Sequence, residues 1–329
     1  MKKMINRTVV EGYLYDNKLE KKVYKDTAKR PGEEYIQGTI DIATDDAITN
    51  IVSVHFSFVS MPDPADANDS KKQKGYMAKK QRFEILSNIM NGTIKSVMNS
   101  GKDNAAKLSV SSSISLAEWY SDRNGSEELV STKRNEGGFI RSASPLQDED
   151  KRNTFDVDMI LIGARRVEAD EERGYPEKVV ISGWIFDFWG ALMPVDFTVL
   201  LPGAMNYFEG LEPSRKSPVF TRLKGKIVST TVKRNVTVES AWDSTVKETD
   251  RPYKDWIVDW AQPEEYEFDD ENTITAEEVK TALANREVML SELKNRRKDA
   301  AAASAFDTTD DTASKSKYSV KKSTVDFNF

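Results

Sequence analysis

Cysteine is absent from the 329 residues and histidine occurs once. The first absence removes disulfides, a thiol nucleophile and Cys-ligated zinc, and it fits a reducing compartment. The second leaves His55 alone on the polar side of an alternating strand, with no second histidine for a metal site or a Ser-His-Asp relay. No Gly-x-x-x-x-Gly-Lys loop occurs, which counts against an ATPase. Apolar runs are too short to span a bilayer, and Met1 to Arg7 leads into strand-like sequence without an apolar signal region. A cytoplasmic protein without cofactor or metal is expected.

Charge is abundant but segregated. The chain carries −6 overall. Between Glu248 and Glu278, twelve carboxylates face only Arg251 and Lys254, so the remainder is net basic. Two runs contain no acid: Lys71 to Arg82 holds six basic residues and Arg215 to Arg234 holds seven. Basic clusters beside an acidic segment suit a polyanion ligand with a built-in competitor, and they equally suit plain solvated surface.

One pattern occurs twice, 171 residues apart: Val9-Val10-Glu11-Gly12-Tyr13-Leu14-Tyr15-Asp16 and Val180-Ile181-Ser182-Gly183-Trp184-Ile185-Phe186-Asp187. With period two, Val10, Gly12 and Leu14 share one face with Ile181, Gly183 and Ile185, while Tyr13, Tyr15, Trp184 and Phe186 take the other. An apolar face broken by glycine suits a curved barrel strand against which another backbone lies closely. Paired rings on the outside of a small barrel can stack unpaired bases, at roughly 1–3 kcal/mol per base. The same residues also fit a strand buried on both sides. Further strands are expected at Tyr35 to Thr44, at Asn50 to Ser60 with Phe56 and Phe58 as core, and at Leu108 to Leu116. A helix is expected over Ala78 to Asn99, after a mobile basic loop from Met61 to Gly75. Five strands with one helix before the fourth is the order of an OB-fold barrel.

The runs Asn6 to Gly12, Ile40 to Thr44 and Asn50 to Phe58, with the hairpin Trp119 to Gly125, resemble OB-fold single-stranded DNA-binding proteins. The chain as a whole is similar to larger bacteriophage-encoded members. The resemblance implies that the aromatic, basic barrel face holds single-stranded DNA, which by position implicates Tyr13, Tyr15, Tyr35, Trp119 and Tyr120, with Arg123 at the adjoining hairpin. It also implies recruitment of phage or host replication proteins by an aromatic-ended tail, here Asp326, Phe327 and Phe329.

Past residue 150, Thr154 to Gly163 reads as a strand that could close the first barrel. Its Asp156 and Asp158 point the same way, and an Asp-x-Asp pair can hold a divalent ion for phosphoryl chemistry. Phe220 to Val238 is a basic strand or strand pair with Arg222, Lys224 and Lys226 on one face, a groove that can track phosphates. Thr275 with Glu278 forms a capping box for a helix over Ala276 to Asp299. Residues beyond 300 have the composition of a disordered tail. The expected architecture is mainly β: tandem OB-like barrels over 1–165 and 176–245, an acidic segment with a C-terminal helix over 246–300, and a tail over 301–329. The expected function is non-enzymatic binding and protection of single-stranded DNA in phage replication or recombination. The alternatives are a structural or scaffolding phage protein and a metal-dependent nuclease built on Asp156 and Asp158.

Overall fold

Among the described residues, alternating apolar and polar positions build ten strands: β1 (Asn6–Val23), β2 (Glu34–Ala43), β3 (Ile51–Ser60), β4 (Lys107–Arg123), β5 (Ser126–Ser142), β6 (Asn153–Val167), β7 (Lys178–Phe186), β8 (Leu192–Val199), β9 (Val219–Glu239) and β10 (Ser244–Ala261). The α-helices of the same residues are α1 (Gln73–Met90), α2 (Val97–Ser100), α3 (Pro202–Gly210) and α4 (Ala276–Phe306). The computed structural model describes residues 4–26, 28, 30–123, 126–170, 175–239, 244–263 and 274–306, without the side chains of 123, 232–239, 244–251 and 296–306.

The strands close into two rings. β1 pairs with β2 and β4, β2 with β3, β3 with β5, and β5 returns to β4. β6 pairs with β7 and β9, β7 with β8, β8 with β10, and β10 returns to β9. In each ring the third and fifth strands are parallel and all other neighbours antiparallel. α1 and α2 lie between the third and fourth strands of the first ring, and α3 lies at the same point of the second. The result is an OB-like barrel order traversed twice. The rings are joined edge to edge, with β1 antiparallel to β6 from Asn6↔Val157 to Val10↔Asn153. Side-chain amides reinforce the seam: Asn6 Nδ2 donates to the carbonyls of Ile114 and Phe186, and Asn50 Nδ2 and Asn153 Nδ2 both donate to that of Ile227. One apolar core runs through both barrels, from Val10, Leu14, Ile40 and Phe56 to Phe155, Ile181, Phe197 and Leu223.

Several expected boundaries move. β6 opens the second barrel instead of closing the first, because it shares five paired positions with β1 but eight with β9. The acidic stretch from 246 is not a separate unit; its first part is β10, whose Trp256 and Val258 are buried in the second barrel. α1 begins within the expected basic loop and stops at Met90, where Gly92 at φ 77° turns the chain. The helix expected to end at Asp299 continues to Phe306, and the tail beyond it lies outside the described residues.

The repeated pattern also falls on non-equivalent strands. Val9 to Asp16 lies in the first strand of its barrel, whereas Val180 to Phe186 lies in the second strand of the other. The shared physical demand is close backbone approach. A Cβ on Gly12 would sit 1.9 Å from the Ala43 carbonyl oxygen, and one on Gly183 would sit 2.3 Å from that of Ile160. Gly183 has its topological counterpart in Gly38 of β2, where a Cβ would meet the Lys18 carbonyl oxygen at 2.0 Å.

Candidate nucleic-acid interface

In an OB barrel the outer face of strands two and three, with the loops joining strands one to two and four to five, is the ligand surface. On the first barrel that surface carries three rings. Tyr35 of β2 lies 4.5 Å from Tyr24 of the β1–β2 connection and 5.1 Å from Phe58 of β3, and Phe58 stacks on Tyr24 with 15° between planes. Phe58 is 59% exposed. Its φ of 50° lies in the left-handed region that is strained for a side chain of this kind, and this turns the ring out of the barrel. Phe58 is therefore a surface residue and not core as its place in the alternation implies. Tyr35 is correspondingly not beside Tyr13: it pairs with Lys22 and Ser60, and is buried beneath the other two rings.

Phe58 borders an open cleft of about 800 Å³ lined by Arg30, Lys79 and Arg82 as well as by Glu33, Asp63 and Asp66. Arg30 is tied to Ser60 Oγ and to the Met61 carbonyl. Arg82 donates through Nη2 to the Gly137 carbonyl and lies over the Phe56 ring, while its buried Nε has no acceptor among the described residues. Lys79, one turn earlier on α1, makes no ion pair among the described residues. An exposed ring beside an exposed ammonium is the pairing that stacks a base and meets its phosphate.

The remaining expected residues scatter. Tyr13 is half-buried with the ammonium groups of Lys102 and Lys107 at 5.0 and 5.4 Å from its ring, a second aromatic and basic surface on β1. Tyr15 is half-buried on the same strand. Trp119 is exposed on β4, and Tyr120 on the opposite side has Lys294 of α4 over its ring. The Arg123 side chain and the residues Asp326, Phe327 and Phe329 lie outside what is described. Trp184 and Phe186, expected to stack bases, are 8% and 1% exposed, packed with Ile160, Leu192 and Ala282 of α4. They present no ring face to solvent.

The basic stripe on β9 is largely engaged. Arg222 makes a two-pronged pair with Asp156 at 2.7 and 2.6 Å, and Lys226 meets Asp150 at 2.9 Å. Lys224 lies 4.8 Å over the half-exposed Trp260 ring. Asp158 is buried and accepts from the Ile5 N–H at 2.7 Å, and burial raises its pKa against the opposing pull of that bond and of Arg222. Each aspartate thus has a structural partner, and the described residues contain no group of three His, Asp or Glu side chains placed for a metal ion. His55 is half-buried, its pKa lowered first by burial and then by Arg134.

Sequence reasoning missed Tyr24, Phe58, Arg30, Lys79 and Arg82 as one site. Lys79 and Arg82 were visible only as part of a basic run. Phe58 follows Phe56 in strict alternation, so nothing local signals its reversed backbone. Phe188 and Trp189 at the β7–β8 turn are also exposed, at 71% and 85%, with Asp187 Oδ1 accepting from the Trp189 and Ala191 N–H groups.

The family model described as YorF matches residues 5–296. No curated protein matches the chain. Among solved structures, the chain is similar to a deletion variant of the single-stranded DNA binding protein from Thermus aquaticus, at 8% identity and TM-score 0.42, over 82% of this chain and 98% of that one. No helix among the described residues is long and apolar enough to cross a membrane.

Proposed function

The chain belongs to the YorF family, and for this member we propose non-enzymatic binding of single-stranded DNA, with the first barrel's cleft as the main contact. The observation that carries the reading is Phe58: an aromatic ring held outward at φ 50°, backed by Tyr24 and Tyr35 and bordering the cleft of Lys79 and Arg82. Backbone strain that turns an aromatic ring to the surface suits a stacking platform. Tyr13 with Lys102 and Lys107 supplies a second contact of the same chemistry. Phage replication or recombination is the setting, and Asp326, Phe327 and Phe329 would serve docking of replication proteins.

The test is oligo-dT binding by the wild type and Phe58→Ala, against duplex, with and without magnesium. Binding without cleavage, weakened roughly 10-fold by the loss of one stacked base, is expected. Equal binding by Phe58→Ala overturns the cleft assignment, and no binding by the wild type overturns the function. A protein-contact role is favoured by Phe188 and Trp189, whose rings project from a tight turn; it requires failure of the wild type to bind oligo-dT.

A further inference from the structure

Topology makes β7 and β8 of the second barrel the equivalents of β2 and β3, the strands that carry the cleft on the first. The outer face of β7 holds Trp184 and Phe186, which pack apart from the main core in a cluster with Ile160 and Leu192. Ile162 of β6 and Phe220 of β9 pack at its sides, and the start of α4 completes the cover: Ala282 is buried against the cluster, with Val279, Leu283 and the preceding Ile274 beside it. Farther along, Arg286 pairs with Glu118 of β4 and donates to the Leu192 carbonyl, and Lys294 pairs with Glu127. Val288 and Met289 face solvent. Over its described side chains the helix meets the barrels through this apolar patch and through the polar contacts of Arg286 and Lys294, whereas the strands beneath it are joined by continuous hydrogen-bonded ladders.

We infer that α4 is a displaceable cover over a second single-strand binding face, and that Trp184 and Phe186 stack bases once it lifts. The inference rests on the proposed function. One barrel then binds DNA at rest, and the second is recruited by longer strands that compete with α4. The first barrel needs no such cover because its rings are backed by one another.

The test uses the full chain and oligo-dT of graded length. Ala282→Glu places a carboxylate against Trp184 and Phe186 and should unseat α4. The nucleotides occluded per chain should then rise about twofold on short oligomers, since each OB barrel has its own site. Adding Trp184→Ala should remove the gain. In the reverse arm, Glu118→Cys with Arg286→Cys is joined by a bis-maleimide, which reacts nowhere else because the chain lacks cysteine. The locked protein should keep the shorter site on every oligomer, whereas the unlinked pair should show the longer one on long strands. Should Ala282→Glu lose its circular-dichroism signal, the cross-linking arm decides alone. Equal site sizes for locked and unlocked protein, with the wild type still binding oligo-dT, overturn the cover while leaving the proposed function intact. A wild type that binds no oligo-dT fails the function first.

Discussion

Gly183 has no room for a methyl group. With the Ile160 carbonyl oxygen at 2.3 Å and Met159 Cε at 2.5 Å from a notional Cβ, Gly183→Ala must push β7 away from β6. The expected cost is roughly 2–4 kcal/mol, a fall in melting temperature on the order of 10 °C. Phe58 should behave oppositely. Phe58→Gly removes the ring but also relieves the positive φ, so thermal melting should shift by only a few degrees while oligo-dT binding falls. Lys133 of β5 supplies a pH-dependent case. Its ammonium lies 4.5 Å over Phe197 and 5.2 Å over Trp256 and donates to the Asp196 carbonyl, and burial lowers its pKa to about 8 despite Asp255 and Asp196. Below about pH 8 both folded and unfolded chains hold this proton, and the folded one bears the cost of burying it. Between pH 8 and the ordinary lysine value the unfolded chain holds more protons, so stability rises with pH, by at most about 1.4 kcal/mol per unit. Urea midpoints at pH 7, 8, 9 and 10 should climb for the wild type and climb less for Lys133→Met.

At the scale of elements, the β9 stripe separates charge that is free from charge that is spent. Arg222 and Lys226 answer Asp156 and Asp150, so changing them should lower stability more than it alters DNA binding. Among the described residues, Lys224 over Trp260 is the one of the three without a carboxylate, and Lys224→Ala should lower the slope of log affinity against log salt by roughly 0.7 if single strands follow this hairpin. An unchanged slope places the path elsewhere. Much of this architecture was legible in the sequence because its causes are local. Alternation gave the strands, Thr275 and Glu278 do cap α4 reciprocally at 2.9 and 3.3 Å, and the glycines of the repeated pattern do mark close strand contact. The burial of Trp184 and Phe186 was not legible, since alternation says which residues share a face but not which distant helix covers it. Nor was the strand mismatch between the two copies, because glycine is required wherever one strand presses on another.

At the scale of the molecule, the chain beyond 306 should be dispensable for folding and for the barrel surfaces. Deleting Asp326 to Phe329 should leave oligo-dT affinity and melting unchanged and reduce capture of a cognate polymerase or helicase; equal capture removes the docking role. The joint between the barrels bears on how affinity depends on strand length. β1 and β6 are hydrogen-bonded neighbours in one sheet, so the separation of the two surfaces is set by strand spacing, about 4.8 Å per strand, and not by the reach of the 143–152 connection. Two sites on a flexible tether accept any polymer long enough to reach, and avidity grows smoothly with length. Two sites fixed in one sheet act as a gauge: a strand one nucleotide short of the span gains nothing from the second site, and the next nucleotide gains nearly all of it.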